Sequence, residues 1–212
     1  MNAIISMKEE LIASAKSFVK KLFRIKNKEH NYVYHNWQHS KNVCEEAVKI
    51  ATHSGLDSAT IENIAIAALF HDVGYEINSD EHEKRGAEIA EEFLLTKGIK
   101  QERINKIKNL ILATKVFTPP ESFEEMVMKD ADLSHLGKPH FFKNYYNLQK
   151  ELNTVFQMGI DDEEWCRSTI EFINKQKFYT DYAKKHYTPV KMENLRQLIK
   201  MKEDGNSKKK AV

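Results

Sequence analysis

His39, the adjacent pair His71-Asp72 and Asp132 outline a metal site, with His35 four residues ahead of the first of them. Two imidazoles and two carboxylates form a mixed nitrogen and oxygen donor set suited to a hard divalent cation. The carboxylates neutralise its charge, and an octahedral ion keeps about two positions for water or a phosphoryl oxygen. An ion held this way lowers the pKa of bound water and polarises a phosphoryl group, so the chemistry implied is hydrolysis. Cys44 and Cys166 are the only thiols, too few and too far apart for a disulfide framework or a structural zinc knot.

The elements that must position these groups read as helices. His35 and His39 lie in Tyr34-His35-Asn36-Trp37-Gln38-His39-Ser40, where a spacing of four puts both rings on one side of a helix; one could bind a metal while the other faces a substrate. Residues 64–74 are apolar around the whole helix circumference, the pattern of a buried helix, and they end in His71-Asp72. Burying an imidazole and a carboxylate there is costly unless they are paired or bound to metal, and the negative end of the helix dipole favours a cation. Gly74 is expected to be the left-handed residue that closes this helix. Asp130 and Asp132 sit among Met126, Val127, Ala131 and Leu133 in a further helical pattern, with the acids near its buried side. Two residues apart, they point to different faces, so only one is expected to ligate.

A His, an adjacent His-Asp and a distant Asp, in this order and behind a buried helix, resemble the signature of the HD-domain metal-dependent phosphohydrolases. The resemblance covers roughly residues 30 to 135. Asp132-Leu133-Ser134-His135-Leu136-Gly137, followed by Tyr145, Tyr146, Glu151 and Leu152, is similar to a bacterial group of predicted HD phosphohydrolases. The family pattern places the ligand immediately before the Leu, which selects Asp132 over Asp130. The runs around His35 and Asp132 are also similar to the catalytic domains of cyclic nucleotide phosphodiesterases. By that resemblance His39, His71, Asp72 and Asp132 hold the metal and His35 protonates the leaving alkoxide, so that His35 and Asp72 carry the catalysis. No match exists for the glutamine and aromatic clamp that would read a cyclic nucleotide base.

In binuclear relatives a histidine before a Gly-Ala pair can serve a second metal, as His82 before Gly86-Ala87 would here. Those sites add another histidine where this chain has Thr114-Lys115-Val116. One divalent ion (Mn, Fe, Co, Ni, Mg or Zn) is therefore expected in preference to two, with His82 and Lys115 meeting substrate phosphate or water. Ser79 is expected to cap the helix of His82, with Asp80 and Glu81 in its first turn. His30, His53, His135, His140 and His186 are read as ordinary core or surface residues, Trp37 and Phe70 as packing, and Lys84-Arg85 as solvated surface.

The chain has 212 residues, enough for one domain with a sizeable core. Lys+Arg 33 against Asp+Glu 31 gives a net charge of +2, which offers no broad electrostatic case for nucleic acid as a partner. The apolar run Ala3-Ile4-Ile5 is too short for a signal sequence, nothing approaches a membrane span, and the cysteine usage suits the cytoplasm. Apolar stripes at helical spacing recur: Leu11, Ala15, Phe18, Val19 and Leu22; Val43, Ala47, Val48, Ile50 and Ala51; Ile104, Ile107, Leu110, Ile111 and Ala113. Asp57 or Ser58 should cap the buried helix, Gly98 should close the fourth near Lys97, and Pro119-Pro120 should break the chain before Asp132. The later aromatic-rich third, to the closing segment 192–201, repeats the helical pattern, with a frayed basic tail from about residue 204. One all-α, HD-type domain over 1–212 is the expectation. Its function would be metal-dependent hydrolysis of a phosphoester or phosphoanhydride in a small nucleotide-like substrate. The alternatives are a non-catalytic metal- and nucleotide-binding regulator, or a di-iron HD oxygenase, against which the incomplete second ligand set argues.

Overall fold

The computed structural model describes residues 2–75 and 81–210, and among these the chain is all-α with no strand. The helices run α1 (Asn2–Glu29), α2 (Trp37–His53), α3 (Ser58–Phe70), α4 (His82–Thr96), α5 (Gln101–Leu112) and α6 (Phe123–Asp132). A 3-10 turn (Leu133–Gly137) leads to α7 (Phe141–Thr154), α8 (Asp162–Lys175) and α9 (Asp181–Lys210).

Helix α3 is the axis of the larger core. Ile64, Ile66, Leu69 and Phe70 are fully enclosed, and α1, α2, α4, α5 and α6 all pack against it. Each such side chain stabilises the fold by roughly 1.5 to 3 kcal/mol relative to exposure, so the all-round apolar pattern of α3 dictates its central position. Its start is set by Asp57, whose Oδ1 accepts from Ala59 N at 2.8 Å and Thr60 N at 3.1 Å. Asn36, Ser122 and Asp161 cap α2, α6 and α8 in the same way. A second apolar cluster joins Leu136, Phe141, Tyr145, Trp165, Ile173 and Leu198, from the 3-10 turn and α7, α8 and α9.

Several expectations are met. Gly98 follows α4 at φ +69°, and Pro119-Pro120 lie in the irregular segment between α5 and α6. Others need correction. His35 is not helical: α2 begins at Trp37, and the Asn36 side chain accepts from Gln38 N and His39 N, so a cap stands between the two histidines. Gly74 does not adopt a left-handed conformation. Its need for glycine is steric, because a Cβ there would fall on the His82 carbonyl oxygen and within 2.6 Å of Gly86 N. Gly86 returns the contact, since its Cβ would lie 2.7 Å from the Phe70 oxygen. The end of α3 and the first turns of α4 thus meet backbone to backbone. Ser79 and Asp80 lie outside the described residues; Glu81 occupies the N-cap position of α4 with no side-chain cap bond. Past residue 204 the α9 backbone runs on to Lys210; residues 211 and 212 lie outside the described residues.

Gly74→Ala should therefore push α4 off the end of α3. The expected outcome is a loss of about 1 to 3 kcal/mol of unfolding free energy, the usual cost of overpacking, measured by denaturant titration. Gly55→Ala is the contrasting control: open space surrounds that position, and only its φ of +74° is strained.

Candidate metal centre

His71 follows α3 directly and is almost fully buried. Its Nδ1 donates to the Ala68 carbonyl at 2.8 Å, which turns Nε2 toward the cavity and fixes it as the open ligand atom of a neutral ring. That atom lies 3.1 Å from Asp72 Oδ2 and 3.3 Å from His39 Nε2. His39 Nε2 is itself 3.1 Å from Asp72 Oδ2. Asp132 Oδ1, at the last residue of α6, stands 3.5 Å from both imidazole nitrogens.

The donor set fits a cation. His39, His71 and Asp72 bring one ligand atom each to within 4.8 Å of one another. Adjacent ligands of an ion with bonds of about 2.1 Å at right angles are separated by about 3 Å, the spacing of the shorter pairs here. Two neutral imidazoles would face each other with lone pairs, and two carboxylates would add like charge, so the cluster requires positive charge at its centre. In the protein without an ion, protons supply it. Burial works to lower both imidazoles, yet Asp132 and Asp72 raise His39 above its ordinary value, and the same carboxylates raise His71 well above it. Burial works to raise the Asp72 and Asp132 carboxyls, but the two histidines hold both below the usual carboxylate range.

Other residues fix the frame. From α1, Lys26 Nζ donates to the Val73 carbonyl at 2.6 Å, tying down the turn that carries Asp72. Glu151 of α7, with no solvent exposure, accepts from Tyr34 N at 2.7 Å and His35 N at 3.1 Å, and meets His35 Nδ1 at 2.5 Å. Tyr75 stacks on a face of that ring at 3.7 Å between centroids. His82 reaches the site from α4, its Nε2 3.7 Å from Asp72 Oδ1 and 3.4 Å from Glu83 Oε1.

A cavity of about 430 Å³ opens over the cluster, lined by His35, His39, Asp72, His82 and Asp132 among others. His35 and His39 do meet there, with ring centroids 6.1 Å apart, through a turn rather than a helix face. Lys115 is not brought in. Its side chain is exposed and outside the lining, while its backbone carbonyl accepts from Lys129 Nζ. Asp130 faces away and accepts from Tyr179 N, Thr180 N and Thr180 Oγ1 at 2.7 to 2.8 Å, so it anchors the start of α9. Phe70 packs with Phe18 and Phe93 inside the core rather than on the site wall, and Trp37 likewise packs against the core outside the lining.

His135, expected to be ordinary, lines the cavity. Burial pushes its ring down to about 4 and so keeps it neutral, while its Nδ1 donates to the Asp132 carbonyl. Tyr34, Tyr75 and Glu83 are further cavity residues for which the sequence suggested no role. Adjacency to His35 marks Tyr34, but no local pattern distinguishes the others.

Residues 36–137 match the HD domain family model. The structure resembles Bacillus subtilis YpgQ in complex with ADP, at 17% identity and TM-score 0.64 over 91% of this chain and 97% of that one. It also resembles the Lin1889 protein of Listeria innocua, at 21% identity and TM-score 0.61 over 90% and 94%. A third similar structure is a predicted HD superfamily hydrolase from an uncultured Thermotogales bacterium, at 18% identity and TM-score 0.56 over 92% and 91%. No curated protein matches the sequence.

His71→Ala and Asp72→Ala are each expected to lose the metal, because the remaining donors cannot close around the gap. A full equivalent of metal on either purified variant, by elemental analysis, would contradict the ligand set. Asp130→Asn should keep its metal but lose about 1 to 3 kcal/mol of stability, because one of the two accepting oxygens becomes an amide NH2 and the donors it served go unpaired. Protons and the ion compete for His39 and His71, whose pKa values are raised in the ion-free protein. Affinity should therefore fall as the pH drops through the range above about 6.5, by up to about tenfold per pH unit for each proton displaced. Manganese titrations across pH, with proton release recorded, check this; a pH-independent affinity would contradict it.

Proposed function

With residues 36–137 an HD domain, we propose that the chain is a metal-dependent phosphohydrolase that cleaves a phosphoester or phosphoanhydride bond in a small nucleotide-like molecule. The observation that carries this reading is His35. It shares the cavity with the metal-ligand cluster, and its Nδ1 is held by the buried Glu151 carboxylate at 2.5 Å. A binding site alone has no use for an imidazole oriented in this way beside a complete donor set.

In this reading His39, His71, Asp72 and Asp132 hold one divalent ion. When bound, the ion supplies Lewis-acid polarisation of the phosphoryl group and a lowered pKa for the attacking water. Asp72 also acts as a base, because its Oδ1, on the side of His82, takes a proton from the nucleophile. His35, its Nδ1–H directed at Glu151 and its ring backed by Tyr75, presents Nε2–H to the departing oxygen; Glu151 balances the positive charge of the doubly protonated ring. His82 meets phosphate or water from the α4 side. The complex of YpgQ with ADP supports a nucleotide-class ligand for this fold.

A phosphate-release and chromatography screen over mono-, di-, tri- and cyclic nucleotides, with Mn, Co, Ni, Mg and Zn in turn, tests the reading directly. Turnover of none of them with any metal would refute it. His35→Ala should retain metal and substrate binding while kcat drops by about 10²- to 10⁴-fold on esters with poor alkoxide leaving groups. A nitrophenyl ester needs little protonation of its leaving oxygen and should recover much of the rate. Equal losses on both ester types would remove His35 from the role of acid.

A further inference from the structure

The cavity extends well past the metal-ligand cluster. Its volume falls in the range of pockets that enclose a drug-sized molecule. The wall remote from the ligands is apolar and aromatic: Phe141, Tyr145 and Leu148 from α7, Trp165 and Phe172 from α8. Within this lobe Thr169 Oγ1 is enclosed and has no hydrogen-bond partner, so it can serve a polar edge of an otherwise flat guest.

Charge limits what can occupy the phosphate end. Among the described residues no Lys or Arg lines the cavity, whereas Asp72, Glu83 and Asp132 do. Residues 76–80, which follow Tyr75, contain no Lys or Arg either. A divalent ion and imidazoles can compensate one phosphoryl group. Each further phosphoryl group would bring charge toward carboxylates with no guanidinium or ammonium to receive it.

Beside the cavity, Phe117 holds φ at +63° and is 64% exposed. It adjoins Val116, which lines the cavity, and its ring centroid is 6.2 Å from that of Phe172. A bulky non-glycine residue in this conformation is uncommon.

From the apolar lobe, the unpaired hydroxyl and the absence of Lys and Arg from the lining among the described residues, we infer that the substrate is a phosphate monoester of an uncharged, ring-bearing alcohol, in chemical class a nucleoside monophosphate, rather than a di- or triphosphate. The ring lies against the α7 and α8 aromatics, and Phe117 closes over it. The inference rests on the phosphohydrolase reading for its chemistry, but the lobe can be tested separately.

With Mn supplied, kcat/KM is compared for adenosine 5′-monophosphate, 2-phenylethyl phosphate, glycerol phosphate, ADP and ATP. The first two should exceed glycerol phosphate by at least about 10-fold, because burial of a ring is worth that much or more, and ADP and ATP should fall below the monophosphate. Phe117→Gly, which removes the ring and relieves the positive φ, should lower kcat/KM severalfold for the ring-bearing esters through KM and leave glycerol phosphate unchanged. Preference for ADP or ATP, or equal use of glycerol phosphate, overturns the inference.

If no phosphoryl compound is turned over, the hydrolase reading fails, and the lobe is judged by binding. In Trp37→Phe, Trp165 is the single remaining tryptophan. Saturable quenching of its fluorescence by the monophosphate and none by glycerol phosphate sustains the lobe assignment; absence of quenching by the monophosphate removes it as well.

Discussion

Two carboxylates and two imidazoles face one another across 3.1 to 3.5 Å at the buried end of α3, and this arrangement is tolerable only with positive charge at its centre. Desolvated charges of this density cost several kcal/mol each when unpaired. The apolar helix that delivers His71 and Asp72 is what makes the site dry enough for the pairing to be strong. The same helix is the axis of the larger core, so packing the enclosed side chains of α3 also sets the direction from which His71 and Asp72 arrive.

Around that centre the chain uses backbone contact to limit freedom. Gly74 and Gly86 let α4 approach the end of α3 so closely that a methyl group on either would strike main-chain atoms. Lys26 holds the intervening turn from α1 through the Val73 carbonyl. These restraints carry His82 and Glu83 to the cluster, and they leave Asp72 with one oxygen toward the imidazoles of His39 and His71 and the other toward His82.

Glu151 has a different structural role. It is buried in α7, yet it binds the backbone of Tyr34 and His35 and the His35 ring, so it joins the loop before α2 to the helices of the second apolar cluster. The cavity is lined by the histidines and carboxylates at the metal centre and by the second apolar cluster. Its ligand end is built around α3, and its apolar lobe is built by α7 and α8. In the proposed reading, chemistry and recognition fall to different parts of the chain, with the buried Glu151 carboxylate linking them.

The all-α class, the buried axis helix and the identity of the clustered residues were legible in sequence because they rest on local period and on residue type. Apolar side chains around the whole circumference of residues 64–70 leave a helix nowhere to go but the interior, and a His-Asp pair at its end needs a partner. The choice between Asp130 and Asp132 was legible only through resemblance; the tertiary structure turns Asp130 away to accept from Tyr179 and Thr180 and leaves Asp132 Oδ1 3.5 Å from both imidazoles. The turn at His35, the steric reason for Gly74, the exclusion of Lys115 and the recruitment of His135 all depended on three-dimensional packing. So did the pairing of His35 with Glu151 across 116 residues. Local sequence determines which groups a helix end can offer, but the far partner of a side chain is decided by how helices cross, and that follows from packing of the whole chain.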